Sequence, residues 1–204
     1  IDVLVNNAGH GLIAALEEVN DVDIQKYFET NFFGAVRLMR TVLPVMRQQG
    51  SGHNVNMSST AGLAGFAGSS LYCGTKFALE GTSEALAKEV ESFGVKVTLV
   101  EPGAFRTDFN GRSLAAAEQS IDAYAPVSVA SLQWFKEMDG KQPGNPIKAA
   151  QAIIQAVESP HPPMRLALGT DAISLIQEKL EWVKTDLDAW RKVTVSTDYT
   201  DSNN

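Results

Sequence analysis

The chain opens on an apolar run, IDVLV at 1–5, that stops at Asn6, Asn7 and Gly9, the signature of a short buried strand ending in a turn. From 21 to 49 the period lengthens. Phe28, Phe32, Val36, Met39, Leu43 and Met46 fall on or near one face, which predicts a helix closed by Gly50 and Gly52. Residues 53–57 form the next strand candidate, and the Gly-, Ser- and Ala-rich stretch 58–70 reads as a loop that permits close backbone approach. Helical spacing returns over 72–91 with Phe77, Leu79, Leu86 and Val90. A β-branched run at 95–100 is then cut by Pro102 and Gly103.

Strand, helix, strand, helix, strand is the order of an α/β fold with right-handed crossovers and a mainly parallel sheet. Ligands of such sheets bind beyond the carboxyl ends of the strands, which places 7–9, Ser59 and 102–107 together. The connection 103–126 exceeds the usual loop length and suits a flap over a substrate. Beyond it the pattern predicts a helix at 127–138, a break at GKQPGNP, a helix from Pro146 to about 157 and a last strand at 164–168. Asp171 is expected to cap a helix over 172–190. The polar tail 196–204 reads as flexible and 1–195 as one domain.

Composition narrows the function classes. A net charge of −7 without a Lys/Arg block argues against nucleic acid as a partner. The single cysteine, Cys73, cannot form an internal disulfide, which fits a cytoplasmic location. No apolar run approaches the ~20 residues of a membrane span. His53 and His161 have no metal-ligand grouping, so no metal is expected.

Candidate chemistry centres on Tyr72 and Lys76, four apart in YCGTK, with Ser59 thirteen residues before the tyrosine. A phenol with an ordinary pKa of about 10 is a poor acid–base group near neutrality. A lysine one turn away reaches the same side and can favour the phenolate, while a serine from a neighbouring segment can hold a carbonyl or alcohol oxygen.

With NNAG at 6–9, Asn31 in TNFFG, Ser59 in NMSSTAG, YCGTK at 72–76 and EPGAFRTD at 101–108, the chain resembles the second half of a short-chain dehydrogenase/reductase. The resemblance covers roughly residues 1–110. It implies a Rossmann-like three-layer α/β/α fold, incomplete at its N-terminus. It also implies an NAD- or NADP-dependent oxidoreductase that interconverts a secondary alcohol and a ketone, or a lipophilic alcohol and an aldehyde. Tyr72 would be the general acid/base, Lys76 would lower its pKa and bond the nicotinamide ribose, Ser59 would place the substrate oxygen, and Asn31 would hold a relay water. Asn7, Ala8, Gly9, Pro102, Gly103, Phe105 and Thr107 would border the cofactor beside Tyr72 and Lys76, Thr107 bonding the carboxamide. Homo-oligomers of the family often pair through the helices expected around 36–46 and 72–91.

Several neighbours keep alternative readings. Ser58 is the weaker candidate beside Ser59, and Cys73 is expected to be a small packing residue. His10 is either a substrate contact or plain loop polarity. Phe66, Phe105, Leu114, Tyr124 and Trp134 can be core or the wall of a pocket for a lipophilic alcohol or ketone. No TGxxxGxG run for the pyrophosphate is present; its place, and that of the residue separating NAD from NADP, falls before Ile1. The chain is therefore expected to be the catalytic part of a larger fold. The alternative is an inactive remnant serving as a packing or interaction module.

Overall fold

A computed structural model describes residues 1–117 and 121–199. Four parallel strands form the central sheet. In chain order they are β1 (Val3–Asn6), β3 (Gly52–Met57), β4 (Val95–Pro102) and β6 (Arg165–Leu168), and they lie side by side in that order. A separate parallel pair joins β2 (Gly11–Ile13) to β5 (Leu114–Ala116). The helices are α1 (Asp21–Phe28), α2 (Gly34–Gln49), α3 (Ser70–Val90), α4 (Ala125–Met138), α5 (Pro146–Glu158) and α6 (Thr170–Val195).

The sheet is covered on both faces at β3, β4 and β6, whereas Val3 and Val5 of the edge strand β1, expected to be buried, are exposed. Val95 and Val97 pack with Ala35, Met39, Val42 and Met46 of α2 and with Leu79, Leu86 and Val90 of α3. Val55, Val100 and Leu168 point the other way, onto Ala149, Ala152, Ile153 and Val157 of α5. This is the Rossmann-like α/β/α layering expected from the order of elements.

The α2/α3 face carries polar groups as well. Asn54 and Asn56 are fully buried there; Asn54 Nδ2 reaches only the sulfur of Met46, whereas both ends of the Asn56 amide are bonded. Asn6 Nδ2 donates to Asn56 Oδ1 at 2.7 Å, and Asn56 Nδ2 donates to Ser83 Oγ at 2.9 Å. The bonds tie β1, β3 and α3 together beneath the strand ends, where apolar packing alone would leave lateral freedom.

The structure departs from the expected elements at three places. The stretch 21–49 is not one helix: a π-helical turn, Glu29–Phe33, separates α1 from α2 and holds Asn31. Apolar spacing cannot show such a turn, because one inserted residue rotates the face without ending the helix. The β2–β5 pair is not among the expected elements: β2 follows the turn at Asn6, Asn7 and Gly9, and β5 lies within the long connection 103–126. Its strands have three residues each, too short to display a period.

Asp171 does not cap α6. Gly169, at φ 101°, occupies the N-cap position, and the Asp171 carboxylate instead accepts the backbone N–H of Ala104 at 2.7 Å. A donor brought close by the tertiary fold has displaced the local one. Of the long connection 103–126, residues 118–120 lie outside the described residues, as do 200–204 of the expected tail. The connection is anchored at Ile121, whose N–H is accepted at 3.0 Å by the buried carboxylate of Glu18.

Replacing Asn56 by Ala strands a buried donor on Asn6 and the hydroxyl of Ser83. Urea denaturation should show a loss of roughly 2–3 kcal/mol with an unchanged slope. A loss below about 0.5 kcal/mol, the range of an inert surface change, would mean that the network does not carry this junction.

Candidate active site

The carboxyl ends of the four sheet strands converge on one cavity of about 950 Å³. Asn7 follows β1, Ser58 and Ser59 follow β3, Pro102 and Gly103 close β4, and Leu168 ends β6; all line it. Parallel strands level their ends only when register is shared. Here Asn6 sits opposite Asn56, Met57 opposite Val100, and Pro102 opposite Leu168.

The phenol of Tyr72 enters the cavity from the first turns of α3. Burial pushes its pKa up to about 12; a hydrogen bond from Ser59 pulls the other way, and Cys73 adds to the rise. Ser59 is the N-cap of a short 3-10 turn, Thr60–Gly62, and its Oγ accepts the N–H of Ala61 at 3.1 Å. That bond occupies a lone pair and leaves the hydroxyl hydrogen to be donated into the cavity. Ser58, the alternative, is buried, and a side chain on Gly62 would strike both its Oγ and Glu80.

Lys76 lies one turn along α3, 4% exposed. Its ammonium is 5.7 Å from the centre of the Tyr72 ring and donates to the carbonyl of Met57 at 2.7 Å. Burial draws its pKa down to about 8, with the carboxylate of Glu80 opposing. The ammonium thus stands over the ring, and burial outweighs any pull toward the phenolate in the chain as it stands.

Asn31 is 2% exposed, and its side chain is fully engaged. Oδ1 accepts the N–H of His10 at 2.9 Å, while Nδ2 donates to the His10 carbonyl at 2.8 Å and to Thr75 Oγ1 at 3.2 Å. The π-helical turn therefore clamps the segment after NNAG against α3. A Cβ on Gly9 would sit 3.4 Å from Asn31 Oδ1 and 3.6 Å from Lys76 Nζ, in ordinary van der Waals contact, so this backbone packs close to both side chains.

Among the predicted site residues, Asn7, Ser59, Tyr72, Pro102, Gly103, Phe105 and Thr107 line the cavity, whereas Ala8, Gly9, Asn31 and Lys76 do not. Gly9, Asn31 and Lys76 instead meet one another. Of the suggested wall residues, Phe66, Phe105, Leu114 and Trp134 line the cavity and Tyr124 does not, its hydroxyl donating to Glu17 at 2.8 Å. His10 turns its ring onto Tyr27, with centroids 4.2 Å apart. Cys73 is buried and unpaired.

Sequence reasoning missed Phe109, whose ring lies 5.5 Å from that of Tyr72, and the apolar Phe135, Met138 and Ile153 farther along the wall. It also missed an ionic cluster beneath Lys76. Arg165 of β6 bonds Glu80, Glu101 at 2.7 Å and Glu84 at 2.9 Å. Burial still holds the carboxyls of Glu80 and Glu101 above the ordinary range. A signal existed: Glu80 is one turn from Lys76, and Glu101 sits inside an apolar strand, where a carboxylate needs a cation.

The profile of the short chain dehydrogenase family matches residues 1–118. Human retinol dehydrogenase 8 is 39% identical over 176 residues, covering 81% of this chain and 55% of that protein. The crystal structure of a short-chain dehydrogenase from Streptomyces avermitilis superposes with a TM-score of 0.88 at 45% identity, covering 97% of this chain and 72% of that one. ElxO with NADP bound superposes at 0.66 and 28% identity, over 85% of this chain and 67% of ElxO. The chain belongs to the short-chain dehydrogenase family of oxidoreductases.

The depressed pKa of Lys76 has a consequence for stability. Between the folded value of about 8 and the ordinary 10.5, the unfolded chain keeps the proton that the folded chain releases, so this lysine's contribution improves as pH rises. Wild-type stability minus that of Lys76→Met should climb by on the order of 2 kcal/mol between about pH 8 and pH 10 in urea titrations. A flat difference would place the ammonium in solvent.

Proposed function

We propose that this short-chain dehydrogenase is an NAD- or NADP-dependent enzyme interconverting an alcohol and its carbonyl, with Tyr72 as the general acid/base. One observation carries the reading: a phenol and a serine hydroxyl converge in a largely apolar cavity with a buried ammonium behind the phenol's ring. When bound, the nicotinamide cofactor supplies or removes the hydride. Asn7, Ala8 and Gly9 would border it on one side, and Pro102, Gly103, Phe105 and Thr107 on the other. The cavity lined by Asn7, Pro102, Gly103, Phe105 and Thr107 beside Tyr72 has room for such a group.

The chain's own residues then handle the oxygen and its proton. The Ser59 hydroxyl donates to the substrate oxygen and holds it against the phenol. In the reducing direction, the Tyr72 O–H bond breaks as that oxygen gains negative charge, and the proton passes to it. A phenol held near 12 stays protonated at neutral pH but gives its proton less readily than an ordinary phenol, so the transfer depends on stabilising the phenolate as it forms. The phenolate left behind is stabilised by the Lys76 ammonium, while the single Ser59 O–H stays on the substrate oxygen. Asn31, by clamping His10 to α3, fixes the distance between Lys76 and the backbone after β1.

The substrate class follows from the wall. Phe66, Phe109, Leu114, Trp134 and Phe135 offer aromatic and aliphatic surface with few polar groups to satisfy. The reading is therefore a lipophilic alcohol or ketone, with a steroid- or retinol-like body. Similarity to a protein named as a retinol dehydrogenase supports it.

Turnover of apolar alcohols with NAD and NADP should fall roughly 10²–10⁴-fold in Tyr72→Phe, while cofactor affinity by fluorescence titration changes little. Retained turnover would reject Tyr72 as the proton donor. Substituting Trp134 by Arg should raise KM for bulky apolar alcohols far more than for small ones, and an equal change for both would remove this wall from the substrate.

A further inference from the structure

Helix α6 leaves the body of the fold soon after it starts. Its base is held by Ala172, which is fully buried, and by the Asp171 carboxylate on Ala104. From residue 180 to 199 every position is exposed. A solitary helix of this length is marginal in water, and its stability ordinarily comes from packing one face.

This helix has such a face. Ile173, Ile176, Leu180, Val183, Leu187 and Trp190 follow at intervals of three, four, three, four and three residues. That is the 3.5-residue repeat of a coiled-coil seam, sustained from Ile173 to Trp190. Leu180, Leu187 and Trp190 are each more than 60% exposed. The geometry points to a second copy of this chain as the occupant, with the two α6 helices packed antiparallel.

The antiparallel arrangement is selected by register and charge. Setting Leu180 against Val183 of the second copy also sets Ile176 against Leu187 and Ile173 against Trp190, so all six layers are apolar. The residues flanking the seam in this register are Lys179 and Asp186, which face each other across the interface twice. Neither makes an ion pair within the chain among the described residues, although neighbouring Asp188 pairs with both Lys184 and Arg191. A parallel pair would instead face Lys179 with Lys184, a like-charge contact, and Asp186 with Arg191, which Asp188 already holds within the chain, so its charges balance less well than the antiparallel pair's two opposite-charge contacts. A membrane surface is disfavoured by the same charges. Over 180–195, Glu181, Asp186 and Asp188 balance Lys184, Arg191 and Lys192, so there is no basic face for anionic headgroups.

Sedimentation of the whole chain tests the inference. Leu180→Glu combined with Leu187→Glu, at exposed positions outside the packed body of the fold, should halve the mass of the wild-type particle and lower its helical circular dichroism only by the share of the projecting α6. Lys179→Asp and Asp186→Lys should each weaken association about tenfold or more, and the two together should restore it. A wild-type monomer at tens of micromolar, or an unchanged mass in the double-Glu variant, overturns the proposal. Tighter association of Lys179→Asp would mean a parallel pair and also overturns it. So would a blue shift of tryptophan emission on phosphatidylcholine–phosphatidylserine vesicles that disappears with Leu180→Glu and Leu187→Glu.

Discussion

The shared register of four parallel strands is the constraint on which the site depends. Because β1, β3, β4 and β6 run the same way, their carboxyl ends stand side by side, and the loops leaving them enclose one cavity. Had any strand been antiparallel, its functional loop would have emerged on the opposite edge of the sheet. The buried Asn6–Asn56–Ser83 chain of hydrogen bonds pins this register just below the cavity floor. Polar groups there are costly unless paired, so they discriminate against sliding in a way that interchangeable aliphatic contacts cannot.

Burial sets the chemistry of what is enclosed. Removing Tyr72 and Lys76 from water favours the neutral form of each, which moves the two pKa values apart: the phenol rises to about 12 and the ammonium falls to about 8. The chain opposes the second shift with Glu80, itself held by Arg165. A charged cluster that joins β4 and β6 of the sheet to α3 thus biases one ammonium beside the Tyr72 phenol. Placing charge there costs desolvation, and Arg165 offsets the cost by serving three carboxylates at once.

The cavity wall and the projecting helix share a support. Asp171 grips the backbone at Ala104, next to Phe105 and Gly103 in the wall, and it is also the second residue of α6. The close fit explains the glycines nearby: a side chain at Gly103 or Gly169 would overlap the Asp171 carboxylate. Forces on α6, including any from a second copy, therefore reach the loop that borders the proposed nicotinamide side.

Much of the architecture was legible from pattern alone. The alternation of β-branched runs with helical spacing determined the α/β order, because burial on both sheet faces demands apolar strands and one-sided helices. The motif residues Asn31, Ser59, Tyr72 and Lys76 marked where chemistry would lie, and the family comparison agrees with the resemblance they carry. Tertiary structure decided the rest. It turned Asn31 inward through a π-helical turn, since one extra residue leaves no trace in hydrophobic period. It took Asp171 from a cap to a tie on Ala104, since a side chain bonds the donor that folding brings closest. It also set Lys76 over the ring of Tyr72 and under Met57 O: spacing along a helix puts two residues on one side, and only packing against β3 determines where the longer one ends.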